Sequence, residues 1–220
     1  MSPATATSNR KIASGRIFGR AVLWRLMAPC GAFVALLGLG RQAAADNTYA
    51  LDQRFGSIEF SVDNVGLFTA EGQFKRFRSD LTLDETHPER TTITVDVEAG
   101  SVDMFWPEGV SMLRSPDYFD VLKFPDVRFK SSKVEAVTPD HYIIRGALEI
   151  RRIEKPFVLD ARLVDRHVDS VSKKEIADFV VSGVLKRSDF GMVADQGLVS
   201  DTVTLKITAH ILLNPADRAN

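Results

Sequence analysis

Four histidines, His87, His141, His167 and His210, are the first residues to weigh for chemistry, because an imidazole can act as a general base or bind a metal. No two of them stand in an HxH or HExxH spacing, so surface roles are expected and no metal site is predicted. Asp117 and Asp120 lie three apart in a stretch that reads as a short helical turn, where both carboxylates would share one side. Such a pair could serve acid–base catalysis, although solvation at a helix end is the plainer reading. Ser188-Asp189 and Ser200-Asp201 have the form of turn and capping residues. There is no GxSxG elbow, and no glycine-rich phosphate loop follows a strand, so neither a catalytic residue nor a cofactor is expected.

What stands out instead is aromatic and aliphatic mass. Phe60, Phe74, Phe77, Phe129, Phe157 and Phe179 fall on the inward faces of predicted strands, together with Ile144. Tyr118, Phe119 and Phe124 belong to the run 113–131, and Phe190 lies in the segment 186–192. Any one of these could simply fill a core. As a set lining an enclosed interior they would form a container for an apolar molecule, which makes all eleven candidate ligand contacts.

Strands must position them. Ile58, Phe60 and Val62 alternate with Ser57, Glu59, Ser61 and Asp63, and Ile93, Val95 and Val97 alternate with Thr94, Asp96 and Glu98. In residues 71–84, Phe77, Leu81 and Leu83 share one face while Phe74 has the opposite parity, which predicts a bulge near Lys75 and Arg76 that turns both rings inward. Tyr142, Ile144, Leu148 and Ile150, then Phe157, Leu159, Ala161 and Leu163, and finally Val203, Leu205, Ile207, Ala209 and Ile211 repeat the alternation. One helical interruption is predicted over residues 115–119, with Ser115 as N-cap and Pro116 at the first helical position. Trp106, Pro107 and Met112 precede it, either as a portal lip or as packing for the helix.

About eight such strands need one enclosed interior, which a sandwich or a barrel can supply. Long strands and short connections favour an all-β, eight-stranded antiparallel barrel with one short helix. Charges on the face opposite the hydrophobes argue against an outer-membrane barrel.

Residues 1–45 read separately, as a signal peptide. They hold Arg10, Lys11, Arg16 and Arg20, then an apolar run over 27–40, then Ala43-Ala44-Ala45, with cleavage expected after Ala45. The run is shorter than the roughly 18 to 20 residues that span a bilayer, so no membrane span is expected after cleavage. Arg10-Lys11 is not a twin-arginine pair, which points to the general secretory route. The domain 46–220 then carries 22 basic and 29 acidic residues, a net charge of −7, which argues against nucleic acid as a partner. The single cysteine, Cys30, lies in the leader, so the domain has no disulfide and no thiolate ligand.

The runs LRSPDYFDVLKFPDVRFKS (113–131), YALDQRFGSIEFSV (49–62), EGQFKRF (71–77), KRSDFGM (186–192) and VSDTVTLKI (199–207), in this order along 49–212 apart from the first, resemble the YceI-like family. The resemblance implies a periplasmic, lipocalin-like barrel holding a polyprenyl chain, an isoprenoid quinone or another amphiphile, without catalytic activity. Two loops depart from the family pattern. PEGVSMLRS (107–115) replaces an Arg-Asp-x-His-Leu type approach, and Arg151-Arg152-Ile153-Glu154 replaces a His-Gly-Val-Thr-like turn, so the contacts to a ligand's polar head stay open. Arg187 and Asp189, in the matching KRSDFGM, are candidate structural or mouth residues, and a buried ion pair that pins the loop is the preferred reading. The expected function is a carrier of a long apolar ligand; the alternatives are a small hydrolase or isomerase using Asp117 and Asp120, and an envelope interaction module with a filled barrel. A homodimer is also open.

Overall fold

The computed structural model describes residues 47–49, 56–64, 68–84, 87–171 and 173–213. The expected signal peptide and its cleavage point lie outside the described residues. The described residues form eleven strands: β1 (Asn47–Tyr49), β2 (Ser57–Asn64), β3 (Phe68–Phe74), β4 (Phe77–Leu83), β5 (Thr92–Glu98), β6 (Val102–Met104), β7 (Asp126–Thr138), β8 (His141–Ile150), β9 (Ile153–Val168), β10 (Glu175–Lys186) and β11 (Val199–Leu213). They form one antiparallel sheet in the order β1-β4-β5-β7-β8-β9-β10-β11-β2-β3-β6. The fold is all-β with one short helix, α1 (Pro107–Arg114), between β6 and β7.

The order forces the sheet to curl. β3 and β4 are consecutive in the chain, yet they stand next to opposite ends of the sheet. Only Lys75 and Arg76 separate them, so the two ends must approach each other there. The main chain is tied at this seam: Lys75 N–H donates to the Ser101 carbonyl at 3.1 Å, Glu98 N–H to the Arg76 carbonyl at 3.0 Å, and Arg76 N–H to Ser101 Oγ at 3.0 Å. The expected bulge is therefore a complete strand break, and it buries both Phe74 and Phe77. The eight predicted strands become eleven because this break divides one of them and the three-residue β1 and β6 join at the edges.

The helix is also displaced from its expected position. Pro107 occupies its first turn with Glu108, Trp106 precedes it in extended conformation, and Arg114 stands in its last turn. Ser115 is thus a C-cap rather than an N-cap, its N–H bonded to the Met112 carbonyl at 3.0 Å. Beyond it the chain turns, with Phe119 N–H donating to Leu113 O at 3.0 Å and Phe124 N–H to Asp120 O at 2.8 Å. Asp120 has φ 50°, which does not continue a right-handed helix. Pro107, read from sequence as a lip or packing residue, takes the first-turn position expected of Pro116, although Trp106 before it supplies no side-chain cap. Trp106 packs edge-on against Phe68, with ring centres 6.0 Å apart.

Alternation holds in the long strands. Phe129, Ile144, Leu148, Phe157, Leu159, Ala161 and Val181 are buried inside the sheet. Charged pairs such as Arg128–Asp96, direct neighbours across β5 and β7, lie in solvent, where each contributes at most about 1 kcal/mol. Among the described residues no helix is long and apolar enough to cross a membrane.

Candidate functional site

The inner faces of the curled sheet surround an apolar cavity of about 140 Å³. Six of the eleven predicted contacts line it: Phe60 from β2, Phe74 from β3, Phe129 from β7, Phe157 from β9, and Tyr118 and Phe119 from the turns after α1. The rings pack mostly edge to face: Phe74 and Phe119 lie 5.6 Å apart at 80°, and Phe129 and Phe157 lie 6.4 Å apart at 79°.

These rings lie flat on the sheet because glycines make room beneath them. Phe60 covers its cross-strand partner Gly72, Phe129 covers Gly146, and Phe157 covers Gly183. A Cβ at Gly146 would lie 2.7 Å from the Phe129 ring and run into the Lys130 carbonyl. Bulky side chains thus spread along the wall, and the middle stays open. Val203, Leu205 and Ile207 of β11 also face the space, and they are only half-buried.

Five predicted contacts do not line the cavity. Phe77 is buried beside Val97 and Val102, and Ile144 and Phe190 are buried in the larger core cluster. Phe179 is half-buried and packs against Tyr142 at 6.0 Å. Phe124 is half-buried beside three cations, with Lys123, Arg152 and Arg151 at 5.1, 5.9 and 5.7 Å from its ring centre. Arg151 and Arg152 form the two-residue turn between β8 and β9, with φ 55° and 61°. This left-handed turn favours Asn or Gly, so two arginines there carry strain of about 1 kcal/mol or more each. Arg151 Nη1 also donates to the Gly191 carbonyl at 2.7 Å, which ties the hairpin tip to the segment after β10.

Arg187 is a lining residue whose expected partner is wrong. It is 4% exposed, and its hydrogen bonds go to four main-chain carbonyls rather than to Asp189. Nε donates to Ser200 at 3.0 Å, Nη1 to Met192 at 2.8 Å and to Ala194 at 2.6 Å, and Nη2 to Val199 at 3.1 Å. A buried cation is thereby solvated by the loop it organises, and these bonds use four of its five N–H groups. Met192, Val199 and Leu113 join it in the lining. Of these, Met192 lies in a loop, where no periodicity could have revealed it.

Tyr118 closes the same end. Its hydroxyl donates to Asp195 Oδ2 at 2.6 Å across 77 residues of sequence. Burial first, then this hydrogen bond and the Asp195 charge, push the phenol up to about 12 from its ordinary 10. A phenol with a raised folded value holds its proton more tightly in the folded state. Its contribution is therefore complete below pH about 10 and is lost as pH rises toward about 12. The difference in urea midpoint between the wild type and Tyr118→Phe is expected to shrink across that window and to be constant between pH 7 and 9.

Asp117 is exposed and Asp120 half-buried, on turns rather than on one helix, so the arrangement that would have aligned them for acid–base work is missing.

A family model described as the YceI-like domain matches residues 49–211. A UPF0312 protein of Azotobacter vinelandii is 30% identical over 176 residues, covering 80% of this chain and 91% of that protein. The crystal structure of a Campylobacter jejuni YCEI protein superposes with TM-score 0.63 at 25% identity, covering 69% of this chain and 90% of that one. A polyisoprenoid binding domain from Saccharophagus degradans, implicated in plant cell wall breakdown, has TM-score 0.54 at 12% identity over 76% of this chain and 98% of that one, a likeness of fold.

Proposed function

Since this chain belongs to the YceI-like family, we propose that it is a binding protein or carrier that holds a long apolar chain, such as a polyisoprenoid or an isoprenoid quinone, within its curled sheet. The observation that carries the reading is the cavity: aromatic and aliphatic walls with Arg187 as the one charged lining residue among the described residues. The polyisoprenoid binding of the Saccharophagus degradans domain supports the ligand class.

Volume adds a condition. An apolar cavity of about 150 Å³ holds one benzene-sized molecule, so about 140 Å³ accommodates roughly one five-carbon isoprene unit. Longer ligands require the lining side chains to rotate, and Met192, with three rotatable bonds, is the most adaptable of them. Arg187 would face an acceptor or anionic head at its end of the space. Under this reading the chain is exported by the general secretory route to the periplasm, closes as a lipocalin-like barrel around its ligand, and binds rather than catalyses. A barrel fully packed with side chains would instead be an interaction module, and the cavity disfavours that.

Solvent extraction of the purified protein followed by mass spectrometry is expected to yield a prenyl lipid. A fluorescent isoprenoid probe is expected to bind the wild type and to bind Leu205→Trp at least about tenfold more weakly, because the indole fills the cavity. Extraction of no lipid together with failure of the probe to bind would reject the carrier reading.

A further inference from the structure

No two histidines are close in the sequence, but the sheet register brings two of them to one place. Asp178 of β10 is the direct cross-strand partner of His210 on β11 and of Asp165 on β9. His167 follows two residues after Asp165 on the same strand. Phe179 and Ala209 pair beside Asp178 and His210, so by alternation the four polar side chains project from the opposite face.

We propose that Asp165, His167 and Asp178 bind a divalent transition-metal ion of the zinc class, with His210 orienting the Asp178 carboxylate. One donor atom from each of the three proposed ligands lies within 4.8 Å of the others. His167 Nδ1 is 3.0 Å from Asp165 Oδ2 and 3.9 Å from Asp178 Oδ2. Donors at about 2.0 to 2.1 Å around a tetrahedral zinc stand about 3.3 to 3.4 Å apart, so changes in donor separation of about 1.5 Å or less complete the set. The other oxygen of Asp178, Oδ1, is hydrogen-bonded to His210 Nδ1. A second partner of this kind fixes the direction of a metal-bound carboxylate.

Electrostatics points the same way. Two aspartates directly opposite each other on adjacent strands repel, and a cation between them would relieve that repulsion. A mixed set of one imidazole nitrogen and two carboxylate oxygens suits zinc better than it suits copper(I), which favours sulfur. His141 also contacts an aspartate, Asp160 at 2.7 Å, but that pair is outside the cluster and serves as the internal control.

An ion there would join β9 to β10, and through the His210 contact to β11, in a domain expected to lack disulfides. The cluster stands toward the start of β10, nine residues before Arg187. At strand rise that is about 30 Å, so the site is separate from the Arg187 end of the cavity and does not depend on the ligand reading.

Zinc chloride titrated calorimetrically into the untagged, chelator-stripped protein in chelator-free buffer is expected to saturate one site per chain. His167→Ala, Asp165→Asn and Asp178→Asn should each weaken binding at least about tenfold, His210→Gln should weaken it measurably, and His141→Ala should leave it unchanged. Asp165 is the most exposed of the four side chains, so its variant keeps the test independent of folding, which circular dichroism checks for every protein. No saturable binding by the wild type, wild-type affinity in folded Asp165→Asn or His167→Ala, or loss of binding in His141→Ala would overturn the proposal.

Discussion

Arg187→Met is expected to destabilise the fold by about 3 kcal/mol and to release the loop after β10. The guanidinium is buried and donates to the carbonyls of Met192, Ala194, Val199 and Ser200. Each such bond to a charged donor contributes on the order of 1.5 to 3 kcal/mol, but losing the arginine also removes the cost of burying it, and water can reach part of the freed loop. The net effect is therefore well below the sum of the four bonds. Lysine keeps the charge on a single nitrogen and cannot reach four carbonyls in the geometry of the planar fork, so Arg187→Lys should lie between the methionine variant and the wild type. Urea unfolding measures both stabilities, and proteolysis within 192–200 reports loop release. A methionine variant with wild-type stability and an intact loop would show that the carbonyls find other donors.

Phe129→Asp should be more damaging still, costing about 4 kcal/mol or more. Phe129 is 7% exposed, covers Gly146 and packs edge-on against Phe157. Truncating such a phenylalanine alone costs about 3 to 5 kcal/mol, and the carboxylate adds an unpaired charge in an apolar interior. Phe129→Leu keeps the interior apolar and should cost less, while leaving Gly146 uncovered. Phe179→Asp is the informative contrast, because Phe179 is half-buried and does not line the cavity. It should lose less stability than Phe129→Asp and leave probe binding intact if the protein folds. Thermal melts of the three variants give the ranking, and equal losses at positions 129 and 179 would contradict the assignment of Phe129 to the cavity wall.

Family membership and cavity complement one another here. The family match covers most of the described domain. The cavity adds which of this chain's own residues face the interior, and the strained Arg151-Arg152 turn lies beside Phe124.

The strand faces were legible from sequence because a pleated strand alternates its side chains with a period of two, whatever it pairs with. Phe60, Phe129, Leu148 and Phe157 were placed inward on that basis, and they are buried. The unequal parity of Phe74 and Phe77 likewise announced an irregularity at Lys75 and Arg76. Being inward does not by itself separate a cavity-wall residue from a core residue such as Phe77 or Ile144. The helix lies earlier than Ser115-Pro116 suggests, because Pro107 begins it after the uncapped Trp106, and the better capping signal does not decide its place.

Local periodicity by itself thus determined the all-β class, the inward and outward faces, and the absence of a histidine pair along the chain. Tertiary structure alone decided the curl closed at the Lys75–Arg76 seam, the open space left by rings lying on Gly72, Gly146 and Gly183, the carbonyl cage of Arg187, and the meeting of His167 with His210 around Asp178. Each of these depends on which strand lies beside which and in what register. Register joins residues tens of positions apart, and no local pattern carries that information.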